Sequence, residues 1–389
     1  MRRFFSFELL DNRYPQLHGL RVLAIISVVQ FHVTSIFALE QSIRLDRDWV
    51  LSSLAVFFGM DLFFILSGFL IGSILIYSLK NRETQKHPIR RFYLRRIFRT
   101  FPSYYVVLTV LACIYVLSPD QKRHLWMEYT YLTNFTRLGR FDVIMFWGWS
   151  LALEEQFYLV VPLLFFVLSR LRSDRARIGL LLAMWASALV VRLAIYYAHK
   201  APWADVELYG ALYFRTYTRY DTLVSGILLA LVHDRFREPI GKWLMHPFNR
   251  ALIAMPSLLC LWMLLRPWTF LPKNLNLYHV IAWGTLTTIM YMGFLTLLLH
   301  GRGVLHRFLS SPIFRRIATL GYGVYLVHIP LCDHVVVPVA RKLIARDVSL
   351  VAVWPLSLLM LLTLSASLAY VMHICVEKPA LWVRDRLAA

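Results

Sequence analysis

The chain has 389 residues, of which 59% are hydrophobic and only 16% are charged. That balance excludes an ordinary soluble domain, whose surface needs more polar residues, and predicts an all-α integral membrane protein. The formal net charge of +20 does not point to nucleic acid. The Lys and Arg residues cluster between apolar runs, as topology signals and anionic-lipid contacts do, and no nucleic-acid module is visible.

In chain order, the apolar runs predict ten transmembrane helices at 17–39, 50–79, 102–117, 150–169, 178–198, 219–233, 251–266, 277–299, 317–339 and 349–375. The second and last exceed bilayer thickness and imply tilt or extension, whereas the third, sixth and seventh are short. Basic residues collect at 80–99, 170–177, 234–250 and 301–316, and these segments are read as cytoplasmic together with both termini. Acids collect in the alternate loops, at Glu40, Asp46, Asp48, Glu128, Asp142, Asp205 and Glu207. The longest of these loops, 118–149, is rich in aromatic residues and suits an interfacial or substrate-facing role. No cleavable signal peptide, internal repeat or linker is visible, so residues 1–389 read as one transmembrane domain without an appended soluble domain. Cys113, Cys260, Cys332 and Cys375 lie in apolar segments without metal-ligand spacing. They read as buried inert thiols, and no metal is expected.

Ionisable residues inside the runs carry the functional signal, because each needs a partner or water at membrane depth. Arg21 and His32 are eleven residues apart, an advance of about 16.5 Å that returns to nearly the same helix face. A plainer reading makes the arginine a snorkelling side chain and the histidine a bonded core residue. Sharing one face, they read as successive stations along an interior path, with His32 as a general base. Asp61, Glu154, Glu155, Arg219, Asp221 and His328 add charge or titratable groups in four further runs. Glu154 lies close to the expected depth of His32, so a carboxylate–imidazole relation is possible. Arg96 and Arg99, one helical turn apart in the basic segment before Pro102, have guanidinium groups suited to phosphate. An anchor on anionic lipid is the simpler alternative for that pair.

Taken together these residues resemble the acyltransferase-3 family of integral membrane acyltransferases, typified by bacterial O-antigen and exopolysaccharide O-acetyltransferases. The resemblance spans essentially the whole chain. It rests on the Arg21/His32 pair, "DLFFILSGFLIG" (61–72), Arg96 and Arg99 before Pro102, "WSLALEEQFYL" (149–159), "RYDTLVSG" (219–226), "YGVYLVHIP" (322–330) and "VEKPA" (376–380). What it implies is an acyl-CoA donor, most commonly acetyl-CoA, and a hydroxyl acceptor on a carbohydrate or glycolipid at the outer face of the cytoplasmic (inner) membrane. Arg96 and Arg99 would engage the donor's phosphates, and Arg21 its pantetheine end or acyl carbonyl. His32 would deprotonate the acceptor or transiently carry the acyl group, and Glu154 would orient His32 or the acceptor. Asp61, Arg219, Asp221 and His328 would line the cavity or form its structural network. Some family members carry a C-terminal extracytoplasmic hydrolase-like domain, so this chain would either act alone or need a separate extracytoplasmic partner protein. The competing class is a transporter or flippase, which would favour inverted repeats and Gly/Pro-broken helices; neither is evident in the sequence.

Overall fold

The computed structural model describes residues 13–39, 59–80, 87–135, 142–199, 206–265 and 276–388. The start of the second expected span (50–58) lies outside them, as do the loop acids Glu40, Asp46, Asp48 and Asp205 and the side chain of Glu207. Among the described residues the fold is helical, with no strand. Its first half contains α1 (Gln16–Leu39), α2 (Gly59–Lys80), α3 (Pro88–Ile114), α4 (Pro119–Tyr129), α5 (Trp149–Arg170), α6 (Asp174–Ala198) and α7 (Val206–Tyr213). The second half contains α8 (Thr216–Trp243), α9 (Pro247–Leu264), α10 (Leu277–Ile281), α11 (Thr287–His300) and α12 (Val304–Leu309), then α13 (Pro312–Leu331), α14 (Val337–Ile344), α15 (Leu350–Met372) and α16 (Lys378–Ala388). Wide π-type turns join α10 to α11, α13 to α14 and α15 to α16.

Among the described residues, nine helices are long and apolar enough to cross a membrane. The expected sixth span, 219–233, falls within α8, which is outside that set because Arg219, Asp221 and a charged C-terminal half lower its hydropathy. Burial explains why α8 tolerates such a sequence: residues 221–231 are all buried, so protein rather than lipid surrounds them. The third span differs from expectation for a related reason. The basic segment before residue 102, where Arg96 and Arg99 are one helical turn apart, is continuous with the expected span 102–117 in α3, which starts with Pro88 in its first turn and runs through Pro102 to Ile114. All four cysteines are free, and Cys113 and Cys375 are exposed on the helix surface rather than buried.

Two features of the packing position the site. α2 and α8 cross in close contact at Gly68 and Gly226. A Cβ on Gly68 would fall 2.0 Å from the Leu223 carbonyl oxygen, and one on Gly226 would fall 2.3 Å from that of Ile65. Only glycine allows this backbone approach. The second feature is α4, which doubles back along α3: Tyr104 Oη donates to the Glu128 carbonyl at 2.9 Å and Tyr105 Oη to that of Tyr129 at 3.0 Å. The Glu128 carboxylate, fully buried, accepts from the Ile144 and Met145 amides at 3.0 and 2.7 Å. Burial pushes this carboxyl above its usual range, while the two backbone donors pull it down. The clasp holds the segment that feeds Trp147 into the start of α5.

Candidate active site

An imidazole pair joins α1 to α13. His32 Nδ1 lies 2.9 Å from His328 Nε2, and His328 Nδ1 lies 2.7 Å from the Tyr325 carbonyl oxygen. A carbonyl oxygen only accepts, so His328 must carry its proton on Nδ1. In a neutral His328 the Nε2 lone pair then accepts from Nδ1–H of His32, which leaves the basic lone pair of His32 on Nε2. If His32 takes up a proton there, its Nδ1–H still has His328 as acceptor, so the imidazolium is stabilised without moving the ring. The pair is set among aromatic rings, with the Phe146 ring 6.4 Å from His32 and the Trp147 ring 6.5 Å from His328, centroid to centroid. Tyr325 is itself fixed, donating from Oη to the Trp147 carbonyl at 2.8 Å and lying 2.6 Å from Ser150 Oγ.

A cavity of about 940 Å³ opens at the other end of α1, lined by Arg13, Arg21, Arg95, Arg96, Arg99 and Glu154 among others. Here the structure collects four sequence-expected residues, Arg21, Arg96, Arg99 and Glu154. Glu154 is 6% exposed, yet Oε1 has no hydrogen-bond partner among the described residues. It sits with Ser67, Tyr158, Arg21 and Arg96, whereas the ring partner of His32 is His328. Arg96 stacks on Tyr158, its Cζ 5.1 Å from the ring centroid. Arg99 is engaged differently. Its Nη1 lies 3.5 Å from Glu377 Oε2, and its Nη2 donates to the Thr319 carbonyl at 3.1 Å. Glu377 also holds His373 Nδ1 at 2.8 Å and Ser103 Oγ at 3.4 Å. The guanidinium groups of Arg96 and Arg99 are therefore not an equivalent pair: one stacks in the cavity wall, and the other ties α3 to the α15–α16 turn.

Asp61, Arg219 and Asp221 lie in two buried ion pairs, and none of the three lines this cavity. Arg219 Nη2 is 2.6 Å from Asp61 Oδ1, and Arg192 Nη1 is 2.7 Å from Asp221 Oδ2. Arg192 also donates to the carbonyls of Val280 and Thr218 and to Thr285 Oγ1. It thereby satisfies backbone freed where the α10–α11 axis breaks at Trp283 and Gly284, a helix break that the sequence reading did not detect. Gly284 has φ +92°, and a Cβ there would lie 2.6 Å from Asp221 Oδ2. The lone arginine in "ALVVRLAIYY" is the sequence signal for Arg192, and Glu128 reads from the sequence only as a loop acid.

The family model described as "Acyltransferase domain" matches residues 14–372. The chain is 27% identical over 354 residues to peptidoglycan O-acetyltransferase OatA of Listeria monocytogenes, covering 82% of this chain and 49% of that protein. It is 28% identical over 340 residues to the putative peptidoglycan O-acetyltransferase YrhL of Bacillus subtilis, covering 82% and 49%. It is 26% identical over 347 residues to O-acetyltransferase OatA of Staphylococcus aureus, covering 84% and 52%. The chain thus spans about half the length of the curated relatives it matches. No solved structure matches it. With the match running from the start of α1 to the end of α15, the chain belongs to the acyltransferase-3 family of multi-pass membrane acyltransferases.

Proposed function

We propose that the protein is an O-acetyltransferase that moves an acetyl group from acetyl-CoA to a hydroxyl of a cell-envelope carbohydrate or glycolipid. The observation that carries this reading is the directed chain from the Tyr325 carbonyl through His328 to His32, which makes His32 Nε2 a positioned base. The same polarity serves the triads of serine hydrolases, where an acceptor behind the histidine fixes its tautomer. The relatives' names supply the acceptor class, since two are named as peptidoglycan O-acetyltransferases.

The cavity suits the donor. Arg13, Arg21, Arg95 and Arg96 offer charge for phosphates, and the α1, α2 and α15 side chains of the wall are largely apolar, as a pantetheine arm requires. The thioester supplies an acetyl carbonyl activated toward oxygen nucleophiles. His32 Nε2 takes the acceptor's hydroxyl proton as that oxygen bonds to the carbonyl carbon. His328 holds the resulting imidazolium, which returns the proton to the departing sulfur as the C–S bond breaks, leaving ester and free thiol. By the positive-inside rule the arginine-rich cavity faces the cytoplasm of an inner-membrane protein, with both termini on that side and α8 counted as a tenth crossing. The test compares base-labile acetyl esters on envelope carbohydrate from cells carrying wild-type protein or His32→Ala. Loss of the esters supports the reading, and esters that persist at the wild-type level sink it.

A further inference from the structure

The last helix, α16, lies beyond residue 372, where the family match ends. Two of its residues, Arg384 and Asp385, nevertheless line the same cavity as Arg21, Arg96 and Arg99. α16 is fastened to α3 at two points. At its root Arg99 reaches Glu377, and near its far end Arg90 Nη2 donates to the Leu387 carbonyl at 3.4 Å. Along a helix, Glu377 to Leu387 spans about 15 Å and Arg99 to Arg90 about 13.5 Å. The two helices therefore run antiparallel in matched register, and α16 carries Arg384 toward the first turns of α3.

α1 orients the cavity. Its lining residues begin at Leu17, with Arg13 just ahead of the helix, and stop at Ile26. His32 lies beyond Ile26 on the same helix, so an acyl-CoA in the cavity points its thioester that way. Its nucleotide end is left at the opposite end, between Arg13 and Arg384. These two cations are committed differently. Arg13 lies over the Tyr77 ring, its Cζ 4.8 Å from the centroid. Arg384 is 22% exposed and is held by Asp385, with Nε 2.8 Å and Nη2 2.6 Å from Oδ1. Asp385 is itself 61% exposed, and an ion pair to so exposed a carboxylate contributes little. A phosphate monoester carries close to two charges at neutral pH and accepts from a guanidinium in bidentate fashion. It therefore outcompetes the single charge of Asp385.

We propose that Arg384 is a specificity-determining residue for the donor, binding the phosphate on the ribose of CoA. Asp385 holds the guanidinium at the cavity until that phosphate replaces it. α16 is thereby part of the donor site, and the protein distinguishes CoA from dephospho-CoA, which lacks only that phosphate. The inference rests on the acyl-CoA reading of the cavity.

The test titrates the full chain in detergent with acetyl-CoA and with acetyl-dephospho-CoA and compares the two Kd values. One additional charge-assisted contact should make wild-type protein bind acetyl-CoA about 10- to 100-fold more tightly. Arg384→Ala should weaken acetyl-CoA binding to the level of the dephospho donor without moving the Kd of the dephospho donor, a split that general damage to the cavity would not produce. Arg384→Lys keeps the charge but not the fork and should retain part of the preference. Asp385→Asn removes the competing carboxylate and should widen it. Equal affinity of wild-type protein for the two donors overturns the assignment, as does a full preference surviving in Arg384→Ala; either result leaves the acyl-CoA reading standing. Binding of neither donor by wild-type protein overturns that reading itself.

Discussion

Nδ1 of His32 lies 2.9 Å from Nε2 of His328, although 296 residues separate the two in the chain. The contact is directional because the Tyr325 carbonyl, 2.7 Å from the far nitrogen of His328, can only accept. His328 thus acts through His32 as a positioning residue. Replacing it with Ala should lower kcat by about 10²-fold, the lower end of what a positioned base contributes, with the KM for acetyl-CoA unchanged. His328→Gln restores an acceptor and should recover part of that loss. A KM effect without a kcat effect would place His328 in donor binding instead.

Arg96 and Arg99 should separate under mutation. Arg96 stacks on Tyr158 in the cavity wall, so Arg96→Ala is expected to weaken acetyl-CoA binding. Loss of one charge-assisted phosphate contact is worth about 1.5–3 kcal/mol, or about 10- to 100-fold in Kd. Arg99 is committed to Glu377, so Glu377→Ala should reproduce the fall in melting temperature caused by Arg99→Ala, and the double variant should be far from additive. Calorimetric titration and thermal melts in detergent read the two effects.

The ion pairs at α8 make a stability prediction. Arg192 and Asp221 are both fully buried, and Arg192→Ala strands the carboxylate. The expected cost is about 3–5 kcal/mol, the range for removing one partner of a buried pair. Gly284→Ala should also destabilise, since its Cβ would lie 2.6 Å from Asp221 Oδ2 at a positive φ. Unfolding in mild detergent measures both, and a wild-type midpoint for Arg192→Ala would contradict the account.

Glu128 clasps the Ile144 and Met145 amides. Glu128→Ala removes both acceptors at once, so those amides should exchange their hydrogens faster than in wild-type protein, by about tenfold or more for a loss of at least about 1.4 kcal/mol of local protection. Hydrogen-exchange mass spectrometry of the 142–148 segment tests this. Turnover should fall with it, because the segment carries the Trp147 carbonyl that holds Tyr325.

Periodicity and charge placement made the membrane class, the common face of Arg21 and His32, and most helix positions legible. They place a residue on a face of its own helix but do not say which helices are neighbours. That is why a Glu154–His32 relation reads only as possible from the sequence, and why neither the His32–His328 contact nor the partnership of Arg99 with Glu377 in "VEKPA" is legible there. The charged half of α3 fell outside the expected span 102–117 because hydropathy marks only the apolar part of a helix. The burial of α8 was hidden for the opposite reason, since its charges are neutralised by Asp61 and Arg192 from other helices. The helix break at Gly284 has no strong local signal beyond a lone glycine, and only the guanidinium of Arg192 beside it explains why it is tolerated.

The most direct test of the central claim is the acetyl-transfer rate of His32→Ala in vesicles supplied with saturating acetyl-CoA at the arginine-rich face. If His32 Nε2 is the base, kcat should drop by about 10²–10⁴-fold while acetyl-CoA still binds with wild-type affinity. A turnover within about threefold of wild type would contradict the account, because that is well short of the loss expected for any catalytic base.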